Sequence, residues 1–183
     1  MRRGVLPTIW PLNINPLHGS EKPHHGRKNC DFRGLVWRPC WCFFNWQGVI
    51  HKEFVPEGET INAVYYKDVM ERLLNRIRRV RPGMCESGKW FLLHDNALSH
   101  NATIVKQFLA QWKATVLNHT PYSPDLAPAD YFLFPKVKSH LKRRLYDSIL
   151  DIQTAVTSTL KTIAKDDFYK GIQKLYDRAN LCV

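Results

Sequence analysis

The chain has 183 residues and a net charge of +11, from 27 Lys and Arg against 16 Asp and Glu, and its 44% hydrophobic and 12% aromatic content excludes a wholly disordered polymer. No apolar run approaches the eighteen or so residues of a membrane helix, and MRRGVLPTIWPLNINP has neither the apolar stretch nor the cleavage site of a secretory signal, so a soluble intracellular protein with no membrane partner is expected. The basic excess favours a polyanionic partner, nucleic acid foremost, although an ordinary solvated basic surface gives the same count.

Residues 1–38 carry prolines at 7, 11, 16 and 23, a basic histidine-rich patch HHGRK and no sustained periodicity, which predicts an irregular lead-in to one domain over 39–183. Val5, Leu6, Ile9 and Trp10 suit a short strand, but Pro7 and Pro11 demote it to an edge at best. Cys30, Cys40 and Cys42 with His24 and His25 can be drawn as a zinc cluster; no CxxC pair is present, and ordinary thiols account for them as well. With Cys85 and Cys182 the cysteines number five, an odd count at irregular spacing that is no disulfide framework.

CWCFFNW (40–46) and GVIHKEFV (48–55) are aromatic and β-branched runs joined through Gln47 and Gly48, a hairpin pattern. A long amphipathic helix follows, with Thr60 or Asn62 as N-cap, an inner stripe of Val64, Met70, Leu73, Leu74 and Ile77, and an end before Pro82. Arg72, Arg76, Arg78, Arg79 and Arg81 crowd its later turns. KWFLLHDN (89–96) alternates Phe91, Leu93 and Asp95 with Trp90, Leu92 and His94, so both faces begin apolar, as in a strand covered by helices on both sides. Its polar residues come at the carboxyl end, where open α/β sheets place ligands. Residues 101–112 read as a helix with Ile104, Val105, Phe108, Leu109 and Trp112 inward, 114–119 as a short strand, and 136–146, 149–164 and 168–180 as helices. The order predicts an α/β domain with a mixed sheet.

Two acids stand out. Asp95 ends a buried strand, where a carboxylate needs a partner or a cation. Asp130 follows YSPDLAPA, a proline-fixed turn with Pro128 suited to a first helical position, and capping alone would also account for it.

HDNALSH (94–100) and TPYSPDLAPADYFLFPKVKSHL (120–141) resemble the signatures carrying the second and third catalytic aspartates of mariner-type transposases. Thirty-four residues, 96 to 129, stand between Asp95 and Asp130, the interval that family keeps. The likeness extends through GVIHKEFVPEGETIN (48–62) and FYKGIQKLYDRANLCV (168–183). It implies an RNase H-like mixed sheet flanked by helices, DNA as partner, a nuclear location, a possible homodimer, and DNA cleavage and strand transfer by two Mg²⁺ or Mn²⁺ ions held on hard carboxylate oxygens. Carried over by position, Asp95 and Asp130 are the catalytic metal ligands. Asn96 and His100 then orient the site or touch DNA, a helix N-cap being equally good for residues near 100. His94 faces away from Asp95 and reads as a packing residue. Lys136, Lys138, Lys142, Arg143 and Arg144 either track phosphates or form a solvated helix face.

The departure concerns the family's first aspartate, which sits on the central strand in a GDExW-like segment. MRRGVLPTIWPLN has no acid, and Glu21 and Asp31 stand in no matching context. A sheet lacking its first, central strand is therefore expected, with residues 4–10 filling the gap imperfectly, and recognition of specific transposon ends through the family's N-terminal DNA-reading domains is not expected. The expected function is that of a transposase catalytic-domain fragment with impaired chemistry. The alternatives are an inactive DNA-binding relic and a dimerising interaction module. A family variant fuses this domain to a methyltransferase module, which nothing in the sequence resembles.

Overall fold

The aromatic hairpin forms as β2 (Cys40–Asn45) and β3 (Gly48–Phe54), turned at Trp46 and Gln47 with Gly48 at a φ of 118°, a conformation glycine adopts without a Cβ clash. It belongs to a computed structural model that describes residues 8–13, 40–56, 58–87, 90–117, 119–120, 123–142 and 146–181. Before the hairpin lies β1 (Thr8–Asn13). After it come α1 (Ala63–Val80), α2 (Pro82–Ser87), β4 (Phe91–Leu93), α3 (Leu98–Asn101), α4 (Thr103–Gln111) and β5 (Thr115–Leu117). A 3-10 turn (Pro124–Leu126), a π-helical segment (Ala129–Leu133), α5 (Phe134–Leu141), α6 (Ile149–Thr162) and α7 (Lys165–Leu181) follow.

The five strands form one mixed sheet in the order β3-β2-β1-β4-β5. β1 runs antiparallel to β2 and parallel to β4, and β4 runs parallel to β5. The expected loss of the central strand is thus corrected: residues 8–13 occupy the middle of the sheet, and Pro11 does not confine them to an edge. The pairing explains how. β1 meets β4 only at Thr8 and Ile9, whereas its ladder with β2 runs from Trp10 to Asn13. Pro11 therefore lies where β1 has a ladder on one side only, and a missing N–H is tolerated when it faces an open side.

Each face of the sheet carries its own core, as the doubly apolar strands required. Trp41, Phe43, Trp90 and Leu92 pack with α1 and α4, while Cys40, Cys42, Phe44 and Leu93 pack with α5, α6 and α7. Cys40, Cys42 and Cys85 are free thiols, and burial pushes Cys40 up to about 12, so it behaves as a small apolar side chain. Cys30 and Cys182, like His24 and His25, lie outside the described residues.

Asn62 is the N-cap of α1, its side chain accepting from the Tyr65 N–H at 2.9 Å. The buried stripe runs through Tyr66, Val69, Met70, Leu73, Leu74 and Ile77, and Val64, expected inward, is 56% exposed because it falls off that phase. The helix expected over 101–112 is broken at Ala102, whose ψ of 144° separates α3 from α4. Val105, Phe108 and Leu109 then set the inner face, leaving Ile104 a hundred degrees round and exposed.

Candidate active site

β4 ends among apolar partners on both faces, so the next residues emerge at the carboxyl end of the parallel strands. His94 stays buried. Its Nδ1 lies 3.2 Å from the Tyr66 hydroxyl, and its ring stacks against Tyr66 and His100. Burial, and then the nearby His100, lower its pKa to about 4, so it is neutral at pH 7.

Asp95 points the other way. Its Oδ1 accepts from the Ala97 N–H at 3.2 Å and stands 2.6 Å from Nδ1 of His100. His100 is itself buried, 3% exposed, with its ring 3.9 Å from that of Tyr66 and 5.4 Å from that of Trp41. The first core thus aims an imidazole at an exposed carboxylate. Burial works against the Asp95 charge, but the His100 hydrogen bond and charge and the Ala97 N–H hold the carboxyl below its usual range. Both contacts fall on Oδ1, so Oδ2 is uncommitted among the described residues. Asn96 Nδ2 donates to the His119 carbonyl at 2.8 Å, tying the end of β4 to the segment after β5.

Asp130 stands exposed in the first turn of the π-helical segment. Burial of part of its surroundings raises its pKa, His119 opposes the rise, and the Asp95 charge adds to it. The Asp95 charge thus reaches Asp130, and π segments recur at functional positions. The turn is anchored from behind by α7. Tyr131 donates to the Gly171 carbonyl at 2.7 Å, the Phe132 ring meets Phe168 edge-on at 5.5 Å, and Arg178 lies 4.4 Å over the Tyr131 ring while donating to the Asp125 carbonyl at 2.6 Å. Sequence reasoning gave Gly171, Arg178 and His119 no place in the site. The first two belong to the GIQKLYDR run, whose pattern was visible although its purpose was not.

Hard divalent cations take oxygen donors, and the Asp95 and Asp130 carboxylates, one with an uncommitted oxygen, are of the chemistry that would form part of such a shell. Among the described residues no group of three or more His, Cys, Asp and Glu side chains could hold a metal, and TIWPLN, the strand beside β4, contains no acid. An ion bound at Asp95 and Asp130 would supply charge neutralisation and a polarised oxygen at phosphorus.

Of the basic run after Asp130, Lys136 pairs with Asp167 at 2.7 Å. Lys138 lies exposed 5.5 Å over the Phe134 ring, and Lys142 is also exposed. Arg143 and Arg144 lie outside the described residues.

A family model for transposases (partial DDE domain) matches residues 20–87. The chain is 37% identical to the mariner Mos1 transposase of Drosophila mauritiana over 139 residues, 74% of this chain and 40% of that protein. It is 31% identical to the histone-lysine N-methyltransferase SETMAR of Homo sapiens over 136 residues, 74% of this chain and 20% of that one. The chain thus spans well under half the length of either relative. The Mos1 catalytic domain solved with raltegravir and Mn superposes with a TM-score of 0.81 at 27% identity, covering 100% of this chain and 84% of that one. The Mos1 paired end complex with Mn gives a TM-score of 0.80 at 27% identity, covering 100% and 56%. With motifs, relatives and fold in agreement, the chain belongs to the mariner-type transposases and corresponds to their catalytic domain.

Proposed function

We propose that this domain has an RNase H-like architecture, binds DNA through its basic surface, and retains a divalent-metal site at Asp95 and Asp130 whose cleavage and strand-transfer chemistry is impaired. The observation that carries the reading is the contrast between the two motif aspartates, Asp95 at the end of β4 and Asp130 in the π-helical turn, and a central strand, TIWPLN, with no third acid. In-line displacement at phosphorus by two ions needs carboxylates to hold both, one activating the attacking oxygen and one neutralising the leaving oxygen. Asp95 and Asp130 have donors for one ion. His100 keeps the Asp95 carboxylate charged and oriented, and Asn96 fixes the strand end beside it. Mg²⁺ or Mn²⁺ is the ion that oxygen donors suit, and the Mos1 catalytic domain has been solved with each. DNA as partner is supported by the basic charge and by the paired end complex of the Mos1 relative.

The test is nicking of supercoiled plasmid in Mg²⁺ or Mn²⁺ by the chain and by Asp95→Ala, with DNA binding measured alongside. Binding without nicking above the level of Asp95→Ala is expected. Metal-dependent nicking that disappears in Asp95→Ala would establish a working nuclease and overturn the impairment. Pairing of two copies through an open gap in the sheet is not favoured, because β1 fills that position.

A further inference from the structure

We propose that the groove between the outer edge of β3, the later turns of α1 and the α6–α7 junction seats a single-stranded nucleic-acid backbone, at a place distinct from Asp95 and Asp130. The groove has a volume of about 890 Å³ and is lined by Lys52, Arg72, Arg76, Arg79, Lys161 and Lys165, with no acidic side chain on its walls. The three arginines recur four and three residues apart, so they follow one face of α1 for about 10 Å. Lys161 and Lys165 close the groove at the end of α6 and the start of α7.

Most of these charges are not cancelled by neighbours. Arg72 is held by Glu53 in a bidentate pair, at 2.6 and 2.9 Å. Arg76 Nε donates to a neutral acceptor, the Ile50 carbonyl, and Lys52 to the Thr157 hydroxyl. Arg79, Lys161 and Lys165 are exposed, with no ion pair to a described residue. Asp166 lines the adjoining cleft with Arg81 instead of this groove. Burial disfavours the Lys52 ammonium, and the charge of Lys161 adds to the effect, a repulsion that a bound anion would relieve.

The same geometry argues against a peptide. β3 is an edge strand, the usual seat for strand addition. Here the ladder with β2 shifts register between Phe43 and Phe44, passing from His51 to Val49, and Arg76 takes the carbonyl of the skipped Ile50. An incoming strand would have to displace that guanidinium, whereas a phosphate would accept from it. A positively charged groove that tracks the backbone is how single strands are held without sequence preference.

The experiment is fluorescence anisotropy of a labelled single-stranded oligonucleotide about twenty nucleotides long, titrated with the full chain in EDTA at several salt concentrations. Arg79→Glu with Lys161→Glu and Lys165→Glu is compared with the parent and with the conservative Arg79→Lys, Lys161→Arg, Lys165→Arg, folding being followed by circular dichroism. Affinity on the order of tenfold weaker and a log–log salt slope smaller by about two are expected for the glutamate variant, with both retained in the conservative one. Unchanged affinity and slope in the folded glutamate variant would overturn the assignment. So would competition by polyglutamate as effective as that by unlabelled DNA. If the glutamate variant does not fold, the corresponding alanine variant gives the same reading with a smaller shift. EDTA removes metal chemistry from the measurement, so a failure of the nicking result and a failure of this groove are separately visible.

Discussion

Glu53 illustrates how one carboxylate fixes two elements. From β3 it accepts from Nε and Nη2 of Arg72 on α1, and His51 on its own strand stands 3.2 Å away. The carboxylate is only 19% exposed, against 46% for Arg72, so the pair is screened from one side and its worth is nearer that of a good surface pair than of a buried one. Burial opposes the Glu53 charge, but the hydrogen bonds from Arg72 and His51 prevail and hold the carboxyl below the ordinary 4.5. A folded-state pKa below the unfolded one gives stability that is complete above the unfolded value and lost as pH falls through the folded value. Glu53→Gln is therefore expected to lower the unfolding free energy by about 1 kcal/mol at neutral pH. The gap to the parent should narrow as urea denaturation is repeated below pH 4.5, and a gap that stayed constant there would show that charge is not what Glu53 contributes.

At the scale of elements, the placement of Asp130 depends on how closely α7 approaches the π-helical segment. Gly171 makes that approach possible: a Cβ built on it would stand 2.8 Å from the Phe132 ring, and that ring is itself wedged against Phe44 and Phe168. Alanine is the better helix former by roughly 1 kcal/mol. Here the overlap outweighs propensity, and Gly171→Ala is expected to cost about 1–3 kcal/mol net, read from chemical denaturation, with Asp130 displaced as its turn moves. A stabilised variant would show that Phe132 has room to give. The glycine in GIQKLYDR was plain in the sequence, but its reason, Phe132, lies thirty-nine positions away. The hairpin, α1 and β4 were legible because apolar periodicity alone decides them. The strand at 8–13 was legible in part, as a short strand through Ile9 and Trp10, but its central place was not, because two prolines argued for an edge and the half-paired ladder that tolerates Pro11 is a property of the whole sheet. The π segment has no sequence signal of its own, and Val64 and Ile104 were misplaced because cap position and the break at Ala102 set helix phase.

On the scale of the whole molecule, the two basic surfaces differ in how far the linear sequence shows them. The run after Asp130 is contiguous and was found at once, whereas the β3 groove joins residues 72–79 to 157–165 and exists only once α1 and α6 pack on opposite faces. Within the contiguous run the lysines are not equivalent. Lys136 is held by Asp167 at 2.7 Å and lies over Phe132, so its charge is spent on joining α5 to α7. Lys138 is exposed beside Phe134, with its ammonium available to a phosphate. Each phosphate contact removed lowers the log–log salt slope of duplex binding by about 0.9. Lys138→Ala is accordingly expected to lower that slope by close to one unit. Lys136→Ala made together with Asp167→Ala leaves net charge unchanged and should leave the slope unchanged. Measured on the same duplex, equal losses from the two changes would mean that DNA draws Lys136 away from Asp167, and the α5–α7 ion pair would then belong to the unbound protein alone.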